Sequence, residues 1–431
     1  MTNPLLSDFQ QAYNNLTFLP LIEEADINKF GVEYGTPVIE ELQQLIEDSY
    51  DQNSKVVLAG HRGCGKSTLL AEFKRKLDDR YFVTFFSISD LIEMSDVNHI
   101  NILFAIAVNL MAEAEKQSIK IKNSIKEKFY NWFAEQTQTN IEEFKADVEA
   151  GSKFDVFLAW IKSNLKSSTV IRDEIKTKFQ RKISDLVSNI NQIATVIQVS
   201  SDKPILVIID DIDKIDIALA KDIFQDHIKA LFQPSFNIVM TIPIAALREV
   251  SLKATLQTET NDQIVQMPVS KLYHKGDRNQ PNAQPIAEAK DQLAKILNKR
   301  ISDNLIEQEA LDKIIIESGG VLRELIRITN ECCRICLRLV RREPDNQDIK
   351  INQSILEEAI NKLSLDFDMS IGVKDYEILK TTYEEFKPND PKDQRFLDLL
   401  HGLYILEYRN HELWYDVHPI VTKVLQQKNI I

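Results

Sequence analysis

Eight residues, Gly60-His61-Arg62-Gly63-Cys64-Gly65-Lys66-Ser67, fit the pattern G-x-x-x-x-G-K-[ST], with Thr68 directly behind them. The spacing has a chemical reason. Glycines at 60, 63 and 65 let the backbone curl until its N–H groups point inward at phosphate oxygens. Lys66 brings a positive charge to the β- and γ-phosphates, and Ser67 offers a hydroxyl to Mg²⁺. Gly60 to Thr68 is therefore the candidate nucleotide-binding segment, with Lys66 also a catalytic candidate and Ser67 a metal ligand. A second acidic group complements it. The apolar run Ile205 to Ile209 ends in Asp210-Asp211-Ile212-Asp213. Asp210 would hold Mg²⁺ through its water shell. Asp211 stands where a carboxylate can orient or deprotonate an attacking water. An aspartate reaches less far than a glutamate, so slow turnover is expected.

These residues need particular elements to position them. Val56 to Ala59 reads as a buried strand and Thr68 to Lys76 as a helix. Strand, glycine loop and helix, in that order, separate a phosphate loop from a chance glycine turn. The helix also places its positive N-terminal end at the phosphates. Further strands are predicted at Tyr81 to Ile88, Ile205 to Ile209, Phe236 to Ile242 and Gln263 to Leu272. Helices are predicted at Thr36 to Asp48, Ile217 to Phe232 and Ala245 to Leu256, the last carrying Arg248. Thr241 falls near a strand end, where its hydroxyl can sense the γ-phosphate or the lytic water, or can satisfy a turn. The fold class that follows is α/β, a three-layer αβα parallel sheet.

The long interval between Lys66 and Asp210 exceeds what such a core needs, so residues 91–200 are expected to form an inserted helical subdomain. It carries no recognisable chemistry. Residues 1–35 read as an irregular linker, 36–285 as the nucleotide core and 286–364 as a helical lid. The polar loop Tyr273 to Pro285 marks the boundary. In the lid, Ser318-Gly319-Gly320 opens a helix, with Ser318 as its cap. Arg323, Arg327, Arg334, Arg338 and Arg341 fall on one face of that helix, a solvated basic face balanced by Glu324 and Glu331. Residues 371–431 read as helices Lys374 to Phe386 and Lys392 to Tyr404 followed by a hairpin, Ile405 to Val417, the pattern of a winged-helix domain.

The 431-residue chain carries a formal net charge of −13. That balance argues against a chain that coats nucleic acid or an anionic membrane. The would-be reading helix sets only Lys392, Arg395 and His401 against Asp393 and Asp398. Packing against protein is therefore expected in place of base readout, and charge disfavours DNA. No stretch is apolar enough to span a membrane and the N-terminus does not read as a signal peptide. Cys332, Cys333 and Cys336, together on one helix, make a poor zinc site and read as reduced, buried thiols of a cytoplasmic protein.

Taken together, the chain resembles the AAA+ and STAND branch of P-loop ATPases over roughly residues 15 to 364. GHRGCGKS (Walker A) and LVIIDDID (Walker B) carry the likeness, the DDID form looking most like STAND and KAP-type ATPases. AKILNKRI and SGGVLREL are similar to the lid of origin-recognition-type AAA+ initiators. The resemblance implies ATP and Mg²⁺ as cofactors. It implies Arg323 as the sensor 2 arginine that reaches the γ-phosphate, Thr241 at the sensor 1 strand end, and Phe30 to Gly35 as the segment that packs on adenine. Arg248 is the candidate arginine finger. The expected function is Mg²⁺-dependent ATP binding and slow hydrolysis that drives a conformational or assembly switch. A protein partner, or self-association, would act through the winged helix or the insert. A DNA-binding initiator or loader, and a nucleotide-binding scaffold without turnover, are the alternatives.

Overall fold

A computed structural model describes residues 4–137, 154–280, 282–409 and 412–431. The expected insert residues 138–153 and the hairpin tip at 410 and 411 lie outside the described residues. The chain forms two compact units. One comprises Met1–Thr36, Gly60–Leu69 and Met267–Ile431; the other comprises Pro37–Ala59 and Leu70–Gln266.

The second unit is built on a five-stranded sheet. Its strands are β1 (Lys55–Gly60), β2 (Phe82–Ser87), β3 (Ile205–Asp210), β4 (Asn237–Pro243) and β5 (Ile264–Met267), in the order β2-β3-β4-β1-β5. β2 pairs parallel with β3, and β3 with β4. Position in the sheet explains the sequence. The interior strands β1, β3 and β4 are buried at every position, so they read as unbroken apolar runs. The edge strand β5 alternates between buried and half-buried residues. It is also shorter than the Gln263 to Leu272 run expected, and Val269, just beyond its end, is buried in an apolar cluster outside the sheet.

The insert is helical where it is described. Asn98 caps the His99–Lys116 helix, its Oδ1 accepting from the N–H groups of Ile100 and Asn101 at 3.1 and 3.0 Å. That helix is buried continuously from Ile100 to Met111, which is why it lacks a polar stripe. It packs on β2 and on the Ile183–Ser201 helix. An aromatic cluster of Phe104, Trp132, Phe133, Phe157 and Trp160 ties the Asn123–Thr137 and Phe154–Ser167 helices to it. The continuous helix expected over Ile217 to Phe232 is broken. A π-helical turn at Asp222–Asp226 separates Ile217–Lys221 from Ile228–Leu231. Such a bulge shifts the helical register, which a 3.6-residue period does not anticipate.

In the first unit, the N-terminal linker is more ordered than its composition suggests. Pro4–Asn15 and Glu24–Phe30 are helices. Leu5, Phe9 and Ala12 bury one face of the former, which packs on the Leu322–Arg342 helix, and Asn330 donates to the carbonyl of Leu16 at 3.0 Å. The expected helical lid consists of Ala287–Asn298, Gln308–Glu317, Leu322–Arg342 and Gln353–Asp368. Ser318 does not cap the Leu322–Arg342 helix, whose N-cap is Val321. Ser318 closes the preceding helix, donating to Ile315 O at 2.6 Å and accepting from Gly320 N at 3.1 Å. Gly319 and Gly320 both take left-handed φ, which ends one helix and restarts the next. The three lid cysteines are buried free thiols, and burial pushes Cys333 up to about 12. The C-terminal part holds helices Val373–Glu385 and Gln394–His401 and an antiparallel pair, β6 (Ile405–Arg409) and β7 (Leu413–Val417). A terminal helix that the sequence reading missed, Pro419–Gln427, follows. β6 and β7 bring Leu406, Tyr408 and Trp414 onto Val269, Val321 and Leu403 in one apolar cluster.

Candidate functional site

The phosphate loop leaves β1 at the buried Gly60 and enters its helix at Lys66. Gly63 and Gly65 hold φ of +79° and +100°, a region that side chains with a Cβ rarely adopt. The loop is also crowded. A Cβ on Gly60 would lie 3.0 Å from Met267 O and 3.1 Å from Cys64 Sγ, and one on Gly63 would overlap Arg323 Cβ. The motif glycines thus serve curvature and close approach together. Lys66 is 4% exposed, and its Nζ donates to the carbonyls of Gly60 and His61 at 3.0 and 2.7 Å. Ser67 and Thr68 are half-buried, and Thr68 Oγ1 accepts from Leu21 N at 3.0 Å.

Arg323 is brought to this loop by its backbone, its N–H donating to Gly63 O at 3.0 Å. With Phe18, Arg62, Arg327, Phe367 and His401, its side chain lines a cleft of about 560 Å³. Arg62 Nε is buried there with no hydrogen-bond partner among the described residues. The expected adenine segment lies beside the loop as well. A Cβ on Gly65 would sit 2.9 Å from Leu322 and 3.8 Å from the Tyr34 ring, and one on Gly35 would sit 2.8 Å from Leu69. Tyr34 OH meets Ser270 Oγ at 3.2 Å, and burial pushes the phenol's pKa upward.

His61 does something its place in the motif did not suggest. Its Nε2 accepts the backbone N–H of Glu407 on β6 at 2.8 Å. Tyr408 reinforces the same strand by donating to Gly319 O at 2.7 Å. Three of the other lid arginines are committed to acids. Arg327 pairs with Glu324 and Asp366, Arg334 with Glu331, and Arg338 with Glu358.

In the second unit, the acids at the end of β3 gather as a trio. Asp210, Asp211 and Asp213 are all buried, and one oxygen of each lies within 4.8 Å of the others. That donor set fits a hard divalent cation. Asp211 takes φ of +69° to turn the chain out of the strand. Its Oδ2 accepts from Ser87 and Ser89 at 2.6 and 2.7 Å, and its Oδ1 pairs with Lys214 at 2.6 Å. Burial alone would raise its pKa, but Lys214, Ser87 and Ser89 outweigh burial and hold it below the usual carboxylate range. Such a carboxylate is a weak base and a strong acceptor. Thr241, fully buried in β4, accepts from Ile212 N at 3.0 Å and Asp213 N at 3.4 Å, so the turn-satisfying role open to it is occupied. Arg248 ends a short 3₁₀ turn after β4.

Sequence reasoning missed Ser87, Ser89, Lys214 and Asp213. Their signals were faint: two serines at i and i+2 at the end of β2, and a Lys three residues after Asp211. The partnership of His61 with Glu407 left no signal, since the two are 346 positions apart.

The model of the KAP family P-loop domain matches residues 36–331. None of the curated proteins matches the chain. Among solved structures, the chain is similar to Cdc6p from Pyrobaculum aerophilum, with 12% identity, a TM-score of 0.40, and 94% of this chain and 98% of that one covered. It is also similar to the RuvB Holliday junction branch migration motor of Thermotoga maritima, with 16% identity, a TM-score of 0.37, and 95% and 99% covered.

Proposed function

The chain belongs to the KAP family of P-loop NTPases, and from that premise we propose that it binds Mg²⁺-ATP and hydrolyses it slowly to switch conformation. Lys66 and the loop N–H groups hold the phosphates, and Ser67 and Asp210 hold the cation. The curled glycines and the acidic trio fit those two groups. Bound Mg²⁺ would neutralise charge on the phosphates as the terminal group leaves. Asp211, with its depressed pKa, orients the attacking water by accepting its hydrogen bond and is poorly suited to remove its proton. Thr241 sets the turn that carries the acids, and Arg323 reaches for the terminal phosphate. Cytoplasmic location and action through a protein partner belong to the same reading. Among the described residues, no helix is long and apolar enough to cross a membrane.

One observation carries the switch: the Arg323 N–H on Gly63 O. It attaches the start of the lid helix to the phosphate loop. Any loop movement on phosphate binding or loss therefore reaches the lid directly, and the two nucleotide states differ in their free energy with it. A winged helix formed by the C-terminal helices and hairpin would receive that movement. The DNA-loading alternative gains little support from the arginine face, where Arg327, Arg334 and Arg338 are paired with acids. Arg395 on the would-be reading helix is likewise paired, with Asp375.

The test is phosphate release from Mg²⁺-ATP, with hydrogen exchange in ATP and ADP, for wild type and Arg323→Ala. Wild type should turn over and show state-dependent protection in residues 318–327, and Arg323→Ala should lose both. An Arg323→Ala protein that behaves like wild type would sink the side chain's role at the terminal phosphate, and a wild type whose protection over residues 318–327 is the same in ATP and ADP would sink the coupling.

A further inference from the structure

Two histidines from distant parts of the second unit lie face to face. His99 opens the His99–Lys116 helix of the insert, and His227 follows the π-helical turn Asp222–Asp226. Their ring centroids are 3.9 Å apart and the ring planes differ by 7°. Asp222 joins them: one potential ligand atom from each of His99, Asp222 and His227 lies within 4.8 Å of the other two. Among the described residues, the acids that end β3 are the only other group of this kind. The π turn is what assembles the trio. Residues five apart on an α-helix point about 140° away from each other, whereas an i→i+5 turn brings them to one side. Such turns are rare and are frequent at functional sites.

The donor set, two imidazoles and a carboxylate, suits Zn²⁺ better than a hard ion such as Mg²⁺. His227 is already held as a ligating histidine is held. Its Nδ1 donates to the Asp222 carbonyl at 2.9 Å, which leaves the lone pair on Nε2. His99 Nδ1 is buried with no hydrogen-bond partner among the described residues, a condition that calls for a cause. Burial also favours the neutral His99 ring, the form that binds metal. The field of Lys176 reaches His99 and disfavours further positive charge, and the Asp222 carboxylate opposes it. With the rings parallel, their lone pairs run side by side. The His227 side chain is 41% exposed, which leaves it free to tilt toward a shared ion.

We propose that His99, Asp222 and His227 form a binding site for Zn²⁺, with water completing the coordination. His99 belongs to the insert, and its two partners lie on the segment that follows β3. Bound metal would therefore clip the insert to the sheet's own helices. The Ile228–Leu231 helix already packs on the His99–Lys116 helix, so the ligands sit on elements that are in contact. The trio shares no residue with the nucleotide site, and the proposal does not depend on the nucleotide reading.

The experiment titrates Zn²⁺ into the full-length protein by isothermal calorimetry. Excess Mg²⁺ is present throughout, so that the acids at the end of β3 hold the harder ion. The titration is repeated on His99→Gln, His227→Gln and Asp222→Asn, and hydrogen exchange is followed with and without Zn²⁺. Wild type should bind Zn²⁺ saturably, melt at a higher temperature with it, and exchange more slowly over residues 99–104 and 222–231. Each histidine replacement should weaken binding by at least ~10-fold, the loss that even an outer partner of a ligand causes. Asp222→Asn keeps the side chain's shape, and its weaker binding serves if a histidine replacement disturbs packing. No saturable uptake by wild type, an affinity unchanged in all three variants, or protection that appears only outside those two stretches would each overturn the assignment.

Discussion

His61 and Glu407 are joined across 346 positions of sequence: the imidazole Nε2 accepts the Glu407 backbone N–H at 2.8 Å. The carbonyl of the same His61 accepts from Lys66 Nζ at 2.7 Å. One residue of the phosphate loop thus holds the motif lysine with its main chain and the C-terminal hairpin with its side chain. A Lys66 that moves onto a phosphate gives up His61 O, so loop chemistry and hairpin docking share a residue.

Replacing His61 with Ala removes the acceptor from a buried N–H. The expected cost is about 1–3 kcal/mol, read by urea denaturation. Hydrogen exchange should quicken over residues 405–409 while the sheet of the second unit keeps its protection. An unchanged exchange rate at Glu407 would show that the bond contributes nothing to docking.

Lys66→Ala removes the charge that the loop carbonyls hold. Phosphate release should fall by ~100-fold or more, the range seen when one preorganised charge-stabilising donor is lost. Wild-type turnover in this variant would refute the assignment of the loop.

Gly63→Ala should be far more damaging than an ordinary loop substitution. The position needs positive φ, and the new methyl group would overlap Arg323 Cβ. A loss of at least ~1–3 kcal/mol is expected from the backbone alone. Nucleotide affinity, measured by calorimetry, should fall with it, because the lid helix must withdraw to make room.

Thr241→Val keeps the shape of the side chain and deletes the acceptor for Ile212 N and Asp213 N. It should cost about 1–3 kcal/mol and weaken Mg²⁺-dependent turnover, while Thr241→Ser restores both. Equal behaviour of the Val and Ser variants in melting and phosphate release would exclude this role.

The Asp211 carboxyl titrates below its unfolded value of about 3.9. A depressed acid stabilises the fold fully above the unfolded pKa and loses that contribution as pH falls through the folded one. Asp211→Asn should therefore lower the melting temperature at neutral pH, and its gap from wild type should close below about pH 4. A gap that stays constant into acid would mean that the Lys214 pair does not stabilise the protein.

Some features were legible because short-range chemistry determines them. The loop from Gly60 to Thr68 requires its glycines and its lysine within a single turn, and β1, β3 and β4 advertise their interior places by unbroken apolar residues. The helical order around 1–35 was hidden by composition. An amphipathic helix as short as Pro4–Asn15 owes its stability to the lid helix it packs on. The π turn at Asp222–Asp226 and the early end of β5 were hidden for a related reason: each is decided by what the neighbouring element leaves room for.

By itself the sequence determined the α/β class, the glycine loop that follows β1 and the acids that end β3, because spacing along the backbone alone aligns those groups. Only the tertiary structure decided that Asp211 accepts from Ser87 and Ser89 and pairs with Lys214, that Arg323 meets the loop through its main chain, and that His61 faces the C-terminal hairpin. Those partnerships depend on which distant segments share a core. Burial selects such partners by shape and by the need to satisfy every buried polar group, and no local pattern encodes that need.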